Sequence, residues 1–265
     1  MLKARLITAA ILLVLLLTAL FALPKSVWAV LVVLMVMQGA HEWQRLSGFD
    51  RVSGYFYLGL TLLLIAVLLF VESGGALAVY GVSALLWLVI VPCWLAKGWK
   101  LRNPLLLALA GWAVLLPTGL AMQELRAVSP WMLLSVMGLV WVADSTAYFA
   151  GRKFGKNKLA PSISPGKTWE GVAGALLGVG FYVSLLWIYK GASLGIGLPM
   201  LLVAGWLWVG LAVIGDLFES LIKRQAGAKD SGALLPGHGG LLDRIDALTS
   251  TLPLAAMVLL LQHWG

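Results

Sequence analysis

The sequence predicts an all-α, polytopic membrane protein with about nine transmembrane helices. Of its 265 residues, 61% are hydrophobic and only 11% are charged, whereas a soluble domain has roughly 25% charged residues. Apolar runs recur along the whole chain, and several approach the roughly 20 residues that a helix needs to cross a bilayer. The alternating polar and apolar pattern of a membrane β-barrel is absent. These observations together indicate a bundle of membrane-spanning helices.

Short polar segments separate the predicted helices. We place the helices approximately at residues 5–23, 27–43, 54–71, 76–96, 104–123, 130–151, 170–190, 194–222 and 246–263. The first begins like a secretory signal, but its apolar core exceeds the usual 7 to 15 residues of such a signal, so we expect it to remain in the protein. We expect one integral membrane domain over residues 1–265, with N-terminal helices in 1–126 and the site-bearing helices and loops in 127–265.

The basic residues predict the orientation of the chain. Lys and Arg concentrate in cytoplasmic segments of membrane proteins. If the N-terminus is cytoplasmic, all but three of the 19 basic residues fall on that side, the exceptions being Lys25, Arg126 and Lys190. The sequence therefore predicts a cytoplasmic N-terminus, and both long polar stretches, residues 151–171 and 229–246, then face the cytoplasm.

Carboxylates in apolar surroundings mark the predicted site. Asp144 lies inside a predicted span, where an ionisable group costs a few kcal/mol unless it is paired or hydrated. Its role is therefore functional, or it forms a structural pair with a basic residue. Near the end of the eighth helix, Asp216, Glu219, Ser220 and Lys223 follow a spacing that places them on one helix face. A solvated stripe is the alternative, but the apolar span before Asp216 favours a polar cleft at the membrane boundary.

Two further carboxylates, Asp243 and Asp246, stand three residues apart where the last helix begins. Acidic residues are favoured at a helix N-terminus, so capping could explain one of them. A second acidic group on the same face, near the helix end that carries Asp216, suggests a cation held by oxygen atoms. Mg²⁺ fits better than Zn²⁺ because no cluster of Cys or His accompanies these residues.

The loop before the last helix supplies positive charge. Lys223, Arg224 and Lys229 precede the glycine-rich segment 236–240, whose backbone can direct N–H groups towards an anion. With carboxylates behind it, the loop predicts a combined phosphate and metal site. His238 is either a ligand or acid–base group of that site, or a hydrogen-bonded loop histidine.

The other polar stretch has a similar composition. Ser164 and Lys167 precede the start of the seventh predicted helix, and hydroxyls, a lysine and a helix N-terminus suit an anionic phosphate. The stretch lacks the Walker pattern of nucleotide-binding loops. For Lys153, Lys156 and Lys158 we prefer a topological role, in which they anchor the loop at anionic lipid headgroups.

The segment SLIKRQAGAKDSGALLPGHGGLLDRID, residues 220–246, resembles the signature of the phosphatidate cytidylyltransferase family, also called CDP-diacylglycerol synthases. A second segment, ADSTAYFAGRKFGKNKLAPSISPGKTWEG at 143–171, is also similar to this family. The beginning MLKARLITA and the stretch HEWQRLSG are similar to its bacterial members. The resemblance thus spans the chain and is most specific between residues 143 and 246.

This resemblance implies a multi-pass enzyme of the bacterial inner membrane that joins CTP to phosphatidic acid, giving CDP-diacylglycerol and pyrophosphate. It also implies Mg²⁺, with K⁺ proposed nearby, a homodimer, and a cytoplasmic active site among membrane lipids; no nucleic acid partner is expected. By analogy Asp216 and Asp243 are the metal ligands, and Asp246 and Lys223 join them as catalytic residues. The substrate-binding candidates are Asp144, Ser164, Lys167, Ser220, Arg224, Lys229, Asp230 and His238.

Other functions compete with this one. A CTP-dependent polyprenol or phytol kinase would transfer the γ-phosphoryl group instead. An ion-coupled transporter could use Asp144 and Asp216 as an ion pathway, but it would have paired broken helices in two halves, whereas the polar residues here concentrate in one half. A non-catalytic scaffold leaves the shared face of Asp216, Ser220 and Lys223 unexplained.

Overall fold

A computed structural model describes residues 2–234 and 239–264. The helices of this part of the chain are α1 (Leu2–Ala22), α2 (Lys25–Leu46), α3 (Arg51–Leu68), α4 (Ser73–Leu85), α5 (Val91–Lys97), α6 (Pro104–Val128), α7 (Pro130–Phe154), α8 (Trp169–Leu194), α9 (Leu198–Gln225) and α10 (Leu242–Trp264). A π-helical segment, Leu86–Ile90, joins α4 to α5, so these two helices form a single span.

The predicted membrane architecture is confirmed. Eight helices among the described residues are long and apolar enough to cross a membrane, and α1 is a further apolar helix of 21 residues. Several predicted boundaries were wrong by three or four residues. The last helix begins at Leu242 rather than near 246, and α9 begins at Leu198 rather than near 194, because Gly195 takes a left-handed conformation that ends α8.

Short polar side chains start several of these helices. The Asn103 side chain accepts a hydrogen bond from Leu105 N at 2.9 Å, and the Thr168 hydroxyl accepts one from Gly171 N at 3.1 Å. Such caps satisfy amides that have no acceptor within the helix. The cap at Thr168 fixes the point where the polar stretch before it becomes α8.

Helices α6 and α10 form the centre of the bundle. In their most apolar windows 72% and 56% of the residues are buried, against 22–39% in the other spans. Small residues allow this packing: a Cβ at Gly111 of α6 would lie 2.6 Å from Trp43 Cδ1, and one at Gly39 of α2 would lie 2.8 Å from a methyl of Leu115. Close backbone approach through small residues is typical of membrane helices, and here it brings α2 against α6.

A small antiparallel hairpin interrupts the helical fold between α7 and α8. Its strands are β1 (Lys158–Ala160) and β2 (Ser164–Thr168), and Lys158 lies opposite Thr168 in the register. The sequence predicts a loop here, because strands of three and five residues are too short to show a clear alternation of polar and apolar residues. The hairpin places β2 beside α8 and α9.

Candidate active site

The carboxylates predicted from the sequence lie at one end of the bundle, where α9 passes the beginning of α10. Gly215 permits this approach, because a Cβ there would lie 2.6 Å from Ser250 Oγ and 2.7 Å from the carbonyl oxygen of Asp246. Asp246 consequently lies within electrostatic range of Asp216, Glu219 and Asp144. Nearby cations relieve the repulsion among these carboxylates.

Lys167 supplies one compensating cation from the hairpin. Its ammonium group forms an ion pair with Asp216 Oδ2, and the two side chains remain 24% and 29% exposed. We call Lys167 and Asp216 the open pair. Ser220 donates a hydrogen bond to the other carboxylate oxygen of Asp216 at 3.4 Å, and Asp144, exposed on α7, lies within electrostatic range of both members of the pair.

Lys223 supplies the second cation from α9, one turn beyond Glu219. Its Nζ lies 2.5 Å from Asp243 Oδ1 and 3.4 Å from Glu219 Oε1, and the side chains of the three residues are only 6–11% exposed. Both oxygens of Glu219 are buried, so the charge of this carboxylate depends on the nearby Lys223 ammonium group for compensation. Lys223 is therefore held between two carboxylates rather than pointing into solvent.

The second oxygen of Asp243 is fixed by the loop. Asp243 Oδ2 accepts hydrogen bonds from the amides of Ser231 and Gly240, each at 2.8 Å, and the Ser231 hydroxyl oxygen lies 3.0 Å from it. Gly239 has a φ of +78°, and a Cβ at this position would lie 2.6 Å from Asp243 Oδ2. Glycine is thus required at 239 both by the conformation and by the closeness of the carboxylate.

Glu42, on α2, is a member of this arrangement that sequence reasoning missed. It is only 1% exposed, and its carboxylate accepts hydrogen bonds from Leu241 N at 2.8 Å, Leu242 N at 2.9 Å and Ser231 Oγ at 2.7 Å. Because it takes up the first amides of α10, Glu42 caps this helix from another part of the chain. The Ser231 hydroxyl lies between the carboxylates of Glu42 and Asp243. We call the group formed by Glu42, Ser231, Asp243, Lys223 and Glu219 the buried network.

A signal for Glu42 exists in the sequence. Glu42 lies at the end of the predicted span 27–43, so it is an acidic residue in apolar surroundings, as Asp144 is. An ionisable residue within a membrane span is a functional candidate by default, so Glu42 is a candidate on the same ground as Asp144. The stretch HEWQRLSG contributed to the family resemblance, but a contact between residues 200 positions apart leaves no mark in local spacing.

The remaining predicted residues belong to α9, to the hairpin and to the loop before α10. Arg224 donates hydrogen bonds to the carbonyls of Ile163 at 3.3 Å and Ala228 at 3.2 Å, so it ties the hairpin and the loop to α9. Ser164 is half-buried at the start of β2, and Lys229 and Asp230 are exposed in the loop. His238 lies outside the described residues, and its predicted role stays a prediction.

The two carboxylates predicted as metal ligands have different partners. Asp216 is paired with Lys167, and Asp243 with Lys223. Within residues 2–234 and 239–264, no three His, Cys, Asp or Glu side chains converge in a way that could hold a metal ion. The chemistry of the group nevertheless suits Mg²⁺, which prefers carboxylate oxygens. The metal role of Asp216 and Asp243 therefore stays a prediction.

A membrane bundle with lysine-paired carboxylates and a glycine-rich loop at one end has the composition of a phosphate-handling enzyme. Comparison with known proteins defines its class: the model of the cytidylyltransferase family matches residues 3–262, and the chain belongs to this family. The relationship predicted from residues 143–171 and 220–246 is thus confirmed.

Three individual relatives are phosphatidate cytidylyltransferases, a particular type of cytidylyltransferase. The chain is 40% identical over 275 residues to a phosphatidate cytidylyltransferase of Pseudomonas aeruginosa, covering 100% of this chain and 99% of the relative. It is 35% identical to the phosphatidate cytidylyltransferase of Haemophilus influenzae, with 96% of each chain covered. A phosphatidate cytidylyltransferase of Thermotoga maritima is 43% identical over 129 residues, 47% of each chain.

Proposed function

We propose that this protein transfers CMP from CTP to phosphatidic acid and so forms CDP-diacylglycerol and pyrophosphate. The observation that carries the proposal is the pairing of two lysines with two carboxylates where the membrane helices end. The near full-length similarity to phosphatidate cytidylyltransferases of two bacteria supports the choice of substrates.

The proposed reaction is a displacement at phosphorus. An oxygen of the phosphatidate phosphate attacks the α-phosphorus of CTP and forms a new P–O bond. The bond from the α-phosphorus to the oxygen bridging the α- and β-phosphates breaks, and pyrophosphate leaves with that electron pair. The attacking phosphate is already a nucleophile, so the reaction needs no covalent intermediate on a Ser or Cys side chain.

Electrostatic repulsion is the main barrier, since both substrates are anions. Lys167 is suited to bind a phosphate, because its partner Asp216 is partly exposed and a substrate oxygen can reach the same ammonium group. Lys223 is suited to a fixed role, since it is held in the buried network beside Asp243. Positive charge placed in advance at a water-poor site stabilises the leaving group more strongly than the same charge in water.

Mg²⁺ fits the donor set, and it would supply charge neutralisation of the phosphate oxygens when bound. Asp216 and Asp243 would hold it, and Lys167, whose pair with Asp216 is partly exposed, would contact phosphate oxygens beside it. K⁺, which the family resemblance also implies, remains a prediction.

The location follows from the same physical argument. The acyl chains of phosphatidate remain among the helices while CTP arrives from water, so the site belongs at a membrane surface. The sorting of basic residues favours the cytoplasmic face of a bacterial inner membrane, with the N-terminus on the same side. A homodimer is proposed on the family resemblance alone.

The reaction can be tested with purified protein, phosphatidic acid, Mg²⁺ and CTP labelled at the α-phosphorus. We expect label in the lipid and release of pyrophosphate, and we expect EDTA to stop both. A lipid kinase would release labelled CDP and leave the lipid unlabelled. That outcome would replace the proposed function with γ-phosphoryl transfer.

A further inference from the structure

A cavity with both apolar and polar lining residues lies at the opposite end of the bundle from the carboxylates. Its volume is about 340 Å³, and it is lined by Leu23, Pro24, Lys25, Trp28, Gln123, Arg126, Ala127 and Pro130. These residues come from the end of α1, the beginnings of α2 and α7, and the end of α6. The proposed reaction does not use this cavity, and no acidic side chain is among the described residues that line it.

The beginning of α2 presents unused donors to the cavity. Trp28 is the first residue of α2 whose amide bonds back along the chain, to the Pro24 carbonyl at 3.0 Å. The amides of Lys25, Ser26 and Val27 therefore have no acceptor within the helix. Among the described residues, no side chain caps this end. Free amides at a helix N-terminus, together with the helix dipole, favour an anion.

Two cations flank these amides. Lys25 is exposed at the mouth of the cavity. Arg126 is only 9% exposed, and it donates to the Leu20 carbonyl at 2.9 Å and the Leu23 carbonyl at 2.5 Å. These bonds anchor the end of α1, but carbonyl acceptors do not cancel the charge of the guanidinium. The nearest acid in sequence, Glu124, accepts a hydrogen bond from Tyr80 at 2.7 Å instead.

A third observation points independently to a missing partner. The Trp28 side chain is 2% exposed, and its Nε1 is buried without a hydrogen-bond partner among the described residues. Buried donors are normally satisfied, so an orphan beside a cavity calls for an explanation. Gln123 also lines the cavity, and its Oε1 is likewise without a partner in the described part of the chain.

We propose that this cavity binds the phosphate group of an anionic phospholipid from the leaflet opposite the active site. Helix amides, Lys25, Arg126 and the Trp28 indole are all donors or cations, so they match the oxygens of a phosphate. The cavity lies where four membrane helices end, and Leu23, Ala127 and Pro130 give it apolar walls, so its occupant is a lipid headgroup with its acyl chains in the bilayer. This inference does not depend on the proposed reaction.

The proposal can be tested by native mass spectrometry of the detergent-purified full chain. Phosphatidylglycerol is the anionic probe, and phosphatidylcholine, which has no net charge, is the comparison lipid. We expect the wild-type protein to retain phosphatidylglycerol preferentially, and we expect Lys25→Ala combined with Trp28→Phe to lose about tenfold or more in apparent affinity, since charge-assisted hydrogen bonds are the strong ones. The control is Lys190→Ala, which removes a lysine at the same end but outside the cavity.

The outcomes separate the alternatives. If Lys190→Ala weakens lipid retention as much as the double variant does, the effect comes from net charge and the site is refuted. If inorganic phosphate displaces the bound lipid at equal concentration, the cavity takes free phosphate and the lipid assignment is wrong. CMP transfer by the double variant serves as the folding control, and we expect it to match the wild type.

Discussion

The two lysine–carboxylate pairs of the candidate active site differ in how far their side chains are buried. In the open pair the side chains of Lys167 and Asp216 are 24% and 29% exposed, whereas those of Lys223 and Asp243 are 11% and 7% exposed. Asp243 is further held by Ser231 and Gly240. In the open pair Lys167 comes from the hairpin, and Ser220 donates a hydrogen bond to Asp216.

This difference gives the two pairs different roles. The buried pair fixes the geometry of the site, and the open pair can be reached by a substrate or a metal ion. A buried ion pair is costly to form, but removing one partner is costlier, because a charge is left uncompensated. The buried network therefore fixes the start of α10 in one arrangement. Screening by water weakens a partly exposed pair, so a substrate phosphate or a metal ion can replace either partner of the open pair. Four variants test this division of roles, and Asp243→Asn has the largest expected effect.

Asp243→Asn removes the charge at the centre of the buried network. We expect the rate of CMP transfer to fall by about 100- to 1,000-fold, a loss typical when a key electrostatic group is removed from an active site. The measurement is incorporation of CMP from labelled CTP into lipid by the detergent-purified variant, over a range of Mg²⁺ concentrations. Size-exclusion chromatography checks that the variant remains folded. Near-normal turnover at any Mg²⁺ concentration would refute the role of Asp243.

Glu42→Gln removes the charge that caps α10. Hydrogen bonds to charged groups contribute about 1.5–3 kcal/mol each, so we expect unfolding at a lower temperature in detergent. We also expect kcat to fall by about tenfold because Asp243 and Ser231 lose their common support. KM for CTP should change little, since Glu42 does not lie at the surface of the site.

Glu124→Gln is the matched control for that experiment. Glu124 also accepts a hydrogen bond in the membrane region, from Tyr80, but it lies at the other end of the bundle. We expect this variant to lose stability while it keeps kcat. If the two variants lower kcat equally once the folded fraction is taken into account, Glu42 acts on stability alone.

Lys167→Ala tests the open pair. We expect KM for CTP to rise by about tenfold, as the loss of one charge-assisted contact to a phosphate predicts. Stability should change little, because exposed ion pairs contribute about 0–1 kcal/mol. Lys153→Ala, at the exposed end of α7, is the control and should leave KM unchanged. An unchanged KM for CTP in Lys167→Ala would show that Lys167, like Lys153, anchors the loop at the membrane surface and does not bind CTP.

Ser231→Ala should have the smallest effect of the four. The hydroxyl lies between Glu42 and Asp243, but both carboxylates keep backbone donors without it. The net contribution of one such hydrogen bond is about 1 kcal/mol, so we expect a small drop in melting temperature and a kcat within a few-fold of wild type. A loss as large as that of Asp243→Asn would show that the serine has a direct role in transfer.

Much of the fold followed from the sequence because a membrane restricts the alternatives. Long apolar runs between polar segments can be satisfied only as spanning helices, so the spans were predictable even where their ends were not. The predicted shared face of Asp216, Ser220 and Lys223 depended on helical spacing alone. In the structure Ser220 and Asp216 are indeed hydrogen-bonded neighbours.

What the sequence could not indicate is which charges pair with which. Lys167 and Asp216 belong to different elements, and their ion pair depends on a short hairpin whose strands carry no clear pattern. Glu42 and Leu242 stand 200 residues apart, so their contact depends on tertiary packing of α2 against the central helices. The spacing of residues in the sequence indicates which side chains share one face of a helix. It does not indicate which side chains of a neighbouring helix contact that face.

The long separation between Glu42 and its donors also bears on how the protein is assembled. During synthesis α2 enters the membrane early, and the amides that satisfy its carboxylate arrive only with the last helix. Until then Glu42 has the amide of Gln38, on its own helix, as a donor and must keep contact with water, because a carboxylate without compensation inside the lipid is expensive. Insertion of α10 would thus complete the fold and the catalytic machinery in a single event, and chains that stop short of it would carry an exposed defect open to quality-control proteases.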